Sequence, residues 1–158
     1  MAMAEEMDTE VWVEDFLTDL INSTGLDVFV EELSIDDEDV LHVQMGGPDS
    51  ARVIGRDGQV LDAIQHLVIA AAIHAGANKQ RILVDVEQYR KRREYRLRDE
   101  AERLAEDVIR TGIPEDMQPM APRERRLVHM ALAEMKGVET ESFGSGDERY
   151  VRIVPVQD

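Results

Sequence analysis

The chain has 158 residues, 43% of them hydrophobic and none of them cysteine, so it can form one or two small domains but no disulfide or thiolate site. No run approaches the roughly 18 apolar residues of a membrane span and the acidic start is unlike a signal peptide, so a cytoplasmic protein is expected. The net charge is -16, but residues 1–50 hold 15 Asp or Glu and no Lys or Arg, whereas residues 51–158 hold all 18 bases. A basic surface for nucleic acid is therefore expected only after residue 50.

The first third of the chain predicts a helix and two strands. Residues 9–22 carry apolar side chains three and four apart, with Thr9 as the expected N-cap and Gly25 as the stop. Residues 26–34 and 40–45 are partly alternating and rich in β-branched side chains, which predicts two strands. The acidic run 36–39 between them lacks the spaced ligands and glycine of a calcium loop, so a solvated turn is expected rather than a metal site.

A Gly-x-x-Gly loop follows a short helical turn at residues 50–54. Gly55 and Gly58 carry no Cβ and so allow close approach of a sugar-phosphate backbone, to which Arg56 would add a phosphate contact. Gln59 and the first amides of the next helix would supply further donors to an anion. Asp57 counts against binding because its carboxylate repels phosphate. The alternative interpretation is a plain turn between two helices, where glycine is also common.

The long helix after this loop is predicted over residues 59–75, and a strand over residues 81–86, with Gly76 ending the helix. The order helix, strand, strand, short helix, Gly-x-x-Gly, helix, strand matches a type II KH domain, a module that clamps about four nucleotides of a single strand. The apolar set expected on the buried face of the long helix comprises Val60, Leu61, Ile64, Leu67, Val68, Ala71 and Ala72.

A second long helix is predicted over residues 90–111, and its first half is strongly basic. Arg92, Arg93 and Arg96 are candidates for nucleic-acid contact, because this half has only Glu94 as an acidic neighbour. In the second half, the spacing of Asp99 to Arg103 and of Glu106 to Arg110 instead favours a solvated face of ion pairs.

The last part of the chain predicts a short extended segment at 117–120, a helix from Pro122 to about residue 133 and a hairpin of strands 138–142 and 150–154. Arg125 and His129 are four residues apart on this helix and so project from one side. A cation beside an imidazole can bind phosphate and stack on a base. Taken alone, an ordinary surface pair is the more frequent explanation of such spacing.

Together these motifs resemble a known bacterial family. An Arg-x-x-x-His helix between a long helix and a hairpin resembles the R-three-H domain, which binds single-stranded nucleic acid. A type II KH domain joined to it is similar to the Jag family, also called KhpB or EloR, or SpoIIIJ-associated. The resemblance rests on residues 53–65, 84–93 and 120–129. Many members also carry an N-terminal Jag domain and a linker that this sequence lacks, so we expect functions tied to that segment not to transfer.

The resemblance implies an α/β (α+β) protein with a KH domain at 1–87 and an R-three-H domain at 88–158. It implies a non-catalytic protein that binds single-stranded RNA, or single-stranded DNA, and acts as a post-transcriptional regulator linked to cell elongation or division, beside a small KH-only partner. The alternative is a protein-interaction adaptor that uses the acidic N-terminal half. No Walker loop, nucleophile elbow or zinc-protease motif occurs, so no catalytic residue, cofactor or metal is predicted, and a nuclease is the least favoured interpretation.

Overall fold

The computed structural model describes residues 8–156, which form an α+β protein. These residues divide into two compact units, and the division lies between Tyr89 and Arg90. Each unit has one three-stranded sheet and an apolar core of its own. The domain limits expected from the sequence, 1–87 and 88–158, lie two residues before this division.

The first unit contains three helices and three strands in the predicted order. In its sheet, β1 and β2 are antiparallel, and β2 and β3 are parallel neighbours. A parallel pair requires a crossover connection, and the two helices around the Gly-x-x-Gly loop form it. The elements are α1 Thr9–Thr24, β1 Phe29–Ile35, β2 Val40–Gly46, α2 Ser50–Ile54, α3 Gln59–Ala75 and β3 Arg81–Val86.

The core of this unit lies between the helices and the sheet. Helix α1 contributes a stripe with a spacing of four residues, and β2 is buried along most of its length because it is the central strand. The fully buried members of the core include Val13, Leu17, Leu41, Val43, Met45, Leu61, Val68, Val84 and Val86.

Two details of the first unit differ from the sequence prediction. Asp8, not Thr9, caps α1, because its side chain accepts a hydrogen bond from the Glu10 amide at 3.0 Å. On α3, Val60 and Leu67 are exposed, at 42% and 46% of their surface, although both were expected to be buried. Each has an apolar neighbour that is buried instead, and consecutive helical residues point about 100° apart, so only one of each pair can face the sheet.

The second unit packs two helices against one face of an antiparallel sheet whose strand order is β4-β6-β5. The predicted extended segment 117–120 is wrong in position, because the strand is two residues long and lies just before it. Met117 and Met120 instead point into the core. The elements are α4 Tyr89–Thr111, β4 Glu115–Asp116, α5 Pro122–Leu132, β5 Val138–Phe143 and β6 Tyr150–Pro155.

Candidate nucleic-acid interface

The Gly-x-x-Gly loop has a backbone that few residue types can adopt. Gly55 has φ 72° and ψ -174°, a region that is essentially restricted to glycine. Gly58 has φ 80° and ψ 9°, in the left-handed region. Residues Arg56–Gly58 form a single 3-10 turn between α2 and α3. The backbone itself therefore restricts position 55 to glycine and favours glycine at position 58, before any ligand is considered.

Close packing within the unit adds a second requirement for these glycines. A Cβ on Gly55 would overlap Cγ2 of Val60, and a Cβ on Gly58 would lie 2.7 Å from Cε1 of Tyr89. Tyr89 was not singled out by the sequence, because nothing in its spacing indicates that its ring lies against the loop. Gly58 is consequently buried, and the side of the loop that faces solvent carries the side chains of Arg56 and Asp57.

The two middle residues of the loop have different roles. Asp57 is left-handed, with φ 51° and ψ 27°, and Asp and Asn are among the few residues with side chains that tolerate this conformation. The Arg56 side chain is 90% exposed, and its Nε lies 3.8 Å from an oxygen of Asp57. Backbone geometry thus gives a physical reason for an acidic residue in a loop expected to contact phosphate. Gln59 is exposed as the first residue of α3.

The basic first half of α4 contains both exposed and structural arginines. Arg92 and Arg96 are exposed. Arg93 instead donates from Nε to Oε1 of Glu124 at 2.8 Å, and both side chains are only 20% exposed. The other carboxylate oxygen of Glu124 accepts from the Ala121 amide at 3.2 Å. Arg93 therefore anchors the start of α5 to α4.

Arg125 and His129 lie on the face of α5 that packs against β5. Both ring nitrogens of His129 contact hydroxyl groups: Nδ1 lies 2.7 Å from Oγ1 of Thr140, and Nε2 lies 2.9 Å from Oγ of Ser142. Arg125 donates from Nη1 to the same Ser142 oxygen at 3.4 Å. The Nε of Arg125 is buried and has no hydrogen-bond partner among the described residues. The two predicted residues are thus parts of one half-buried polar cluster.

Sequence reasoning missed Thr140 and Ser142, although a weak signal was present. Side chains alternate between the two faces of a strand, so Val138, Thr140 and Ser142 share one face of β5. Val138 is in the core, and hydroxyl groups at the next two inward positions require polar partners. Arg125 and His129 are those partners.

The environment of His129 favours the neutral imidazole. Burial lowers the pKa of His129 below its usual value, and the positive charge of Arg125 lowers it further. A neutral imidazole has one N–H and one lone pair, so its two hydroxyl partners cannot have the same role.

The opposite face of the second sheet has a different character. Arg152 makes two hydrogen bonds to Asp116, at 2.5 and 2.7 Å, and its guanidinium lies 4.8 Å from the centroid of the Phe143 ring. Glu139 and Glu141 occupy the alternate positions of β5, on the side away from His129. Since Arg152 is paired with Asp116 and the carboxylates of Glu139 and Glu141 lie on the same face, this face is unsuited to phosphate.

No helix in residues 8–156 is long and apolar enough to cross a bilayer. That part of the chain also contains no group of three or more His, Asp or Glu side chains arranged to hold a metal ion.

The chain matches two family models, each within one unit. Residues 10–86 match the KH domain of KhpA and KhpB, and residues 96–155 match the R-three-H domain. Among curated proteins, the RNA-binding protein KhpB of Clostridium symbiosum is 33% identical over 139 residues, which cover 88% of this chain and 63% of that protein.

Two further proteins of the same name are similar over shorter stretches. KhpB of Lactiplantibacillus plantarum is 37% identical over 101 residues, which cover 64% of this chain and 31% of that protein. KhpB of Bacillus subtilis is 31% identical over 109 residues, which cover 68% of this chain and 52% of that protein. The chain thus spans between about a third and two thirds of the length of these relatives.

Proposed function

The chain belongs to the KhpB, or Jag-like, family, and from this premise we propose that it binds single-stranded RNA without catalysing a reaction. The observation that carries the proposal is the cluster that Arg125 and His129 of α5 form with Thr140 and Ser142 of β5, in which the buried Nε of Arg125 has no hydrogen-bond partner among the described residues. A phosphate group consists of acceptors and has no donor, so it matches this cluster chemically.

The Gly-x-x-Gly loop supports the same proposal in the first unit. Its outward side presents the exposed guanidinium of Arg56, while Val60 and Tyr89 hold its backbone from behind. A preformed loop loses little conformational entropy when it binds a ligand. Gln59 is a further proposed contact of the first unit. In the second unit, taken by itself, the exposed α4 residues Arg92 and Arg96 are proposed contacts, and Arg93 would act by supporting α5.

Direct measurement of RNA binding by the whole chain tests this proposal. A fluorescent single-stranded RNA is titrated with the wild type, with Arg56→Asp and with the double variant Arg125→Ala, His129→Ala. The matched controls are Arg81→Ala and Arg149→Ala, which remove exposed arginines of the first and second unit. We expect weaker binding in the first two variants, unchanged binding in the controls, and an affinity that falls steeply with salt. Equal affinities in all five proteins would refute the site.

The proposed regulatory role is non-catalytic, so it requires that the protein releases its bound RNA intact. The same RNA is incubated with the protein and Mg²⁺ and then analysed by gel, and an intact probe is expected. A cytoplasmic location and a link to cell elongation or division are further parts of the proposal. Ultraviolet crosslinking in cells would identify the bound transcripts and so test the link to cell elongation or division.

A second candidate function, protein-interaction adaptor, is favoured by the exposed apolar residues on α3. Val60 and Leu67 lie seven residues apart on one side of the helix, and a small KH-only protein is the partner that the family resemblance implies. Sedimentation of the chain with a single-KH-domain protein, compared for wild type and Leu67→Glu, tests this association. Complex formation without any RNA binding would favour the adaptor over the RNA-binding protein.

A further inference from the structure

Three polar contacts in the second unit form a series rather than separate pairs. They run from Nη1 of Arg125 to Oγ of Ser142, from Ser142 to Nε2 of His129, and from Nδ1 of His129 to Oγ1 of Thr140. We propose that Ser142 positions His129 by holding it as the Nδ1–H tautomer, and that Thr140 is a further nucleic-acid-binding residue, donating its hydroxyl hydrogen to a phosphate oxygen. The second part rests on the proposed function.

The direction of the series follows from the chemistry of its first member. A guanidinium can only donate, so the Ser142 oxygen accepts the hydrogen bond from Arg125. This arginine approaches the ring from the Nε2 side, through Ser142, and its positive charge favours a lone pair rather than an N–H at Nε2. Ser142 then donates its hydroxyl hydrogen to Nε2.

The remainder of the series is determined by counting hydrogens. A neutral imidazole carries one N–H, which lies on Nδ1 when Nε2 accepts. Nδ1 therefore donates to the Thr140 oxygen, at 2.7 Å. The hydroxyl hydrogen of Thr140 is not used within the series. Free histidine favours the opposite tautomer, so the Nδ1–H form would be a specific consequence of this arrangement.

Two donors are left over in this cluster. They are the hydroxyl hydrogen of Thr140 and the buried Nε of Arg125, which has no hydrogen-bond partner in residues 8–156. The nearest carboxylates of the strand, Glu139 and Glu141, alternate to its other face and so do not occupy this position. A phosphodiester oxygen, which accepts hydrogen bonds and carries negative charge, would satisfy the Thr140 donor.

The tautomer is measured on the full chain without RNA, by ¹⁵N NMR of the histidine rings, with the His129 signals assigned by their loss in His129→Gln. We expect the Nδ1–H form in the wild type, a shift towards Nε2–H in Ser142→Ala, and recovery in Ser142→Thr, which keeps the hydroxyl. Ser145→Ala removes an exposed serine of the hairpin loop and should change nothing. An Nε2–H ring in the wild type, or an unchanged ring in Ser142→Ala, overturns the positioning role.

The donor role of Thr140 is tested by RNA affinity. Thr140→Val keeps the shape and removes the hydroxyl, and loss of one hydrogen bond should raise Kd by about two- to tenfold. Thr140→Ser should retain most of the affinity, and Ser145→Ala all of it. Unchanged affinity in a folded Thr140→Val protein overturns the donor role. If the wild type binds no RNA at all, the proposed function fails with the donor role, while the tautomer result, obtained without RNA, still decides the role of Ser142.

Discussion

The ring of Tyr89 occupies the space that a side chain on residue 58 would need, since a Cβ there would lie 2.7 Å from Cε1 of the ring. We therefore predict that Gly58→Ala lowers the free energy of unfolding by about 3 kcal/mol, combining the left-handed backbone cost with overpacking. Urea denaturation of the whole chain measures this change.

The matched control for that substitution is Gly76→Ala. Gly76 has a similar φ of 75°, but nothing lies within 4 Å of its Cβ position, so only the backbone cost of about 1 to 2 kcal/mol should appear. Combining Gly58→Ala with Tyr89→Ala should recover part of the loss. Equal effects of the two glycine substitutions would mean that Tyr89 does not constrain the loop.

The acidic residue of the loop leads to a prediction about affinity. Asp57→Asn keeps a residue that tolerates φ 51° and removes a negative charge beside Arg56. Since two charges 4 Å apart in water interact by about 1 kcal/mol, the variant should bind single-stranded RNA about three- to fivefold more tightly at low salt.

Fluorescence anisotropy at two salt concentrations checks this prediction. Asp37→Asn is the control, because it neutralises an exposed acid in the β1–β2 turn, at the opposite end of β2 from the loop. Weaker binding by Asp57→Asn would indicate that the carboxylate itself contributes to the complex.

Replacing the arginines in the basic first half of α4 one at a time should show which of them stabilise the fold and which bind RNA. Arg93→Ala leaves the half-buried carboxylate of Glu124 without its 2.8 Å partner and should lower the free energy of unfolding by about 1.5 to 3 kcal/mol. Arg92→Ala and Arg96→Ala remove exposed side chains and should change stability by no more than about 0.5 kcal/mol.

RNA titrations at several salt concentrations complete this comparison. Each of Arg92→Ala and Arg96→Ala should reduce the salt dependence of binding by about one charge if the residue contacts phosphate. The prediction fails if Arg93→Ala alone changes the salt dependence while leaving the unfolding transition unaltered.

Local sequence signals were sufficient for most elements but not for the tertiary partners. The bounds of α3 agree with the predicted 59–75, because Gly58 precedes it and Gly76 caps it in the left-handed conformation. Thr140 and Tyr89 were missed, since their importance depends on which residues the fold brings opposite them. The two helices of the second unit were likewise predictable from the sequence. The burial of Arg93 was not, because it depends on Glu124, 31 residues away.

Because the pKa of His129 is lowered in the folded protein, the free energy of unfolding should fall as the pH falls. In the unfolded chain the imidazole has a pKa of about 6.5, above its value in the folded protein. Below that pH the unfolded state binds more protons, so the contribution of neutral His129 is complete above pH 6.5 and is lost as the pH falls through the folded pKa. Thermal unfolding between pH 7.5 and 5 should show this loss in the wild type.

Two histidine variants and added RNA test whether this pH dependence comes from the ring of His129. His129→Gln should flatten the pH dependence, whereas His74→Gln, which removes an exposed histidine of α3, should not. Bound RNA should oppose the effect, because a phosphate beside the ring favours the imidazolium and raises the pKa of His129. RNA should then bind more tightly at pH 6 than at pH 7.5, with uptake of a proton that calorimetry in buffers of different ionisation enthalpy can count. Identical proton uptake in His129→Gln would assign the linkage to another group.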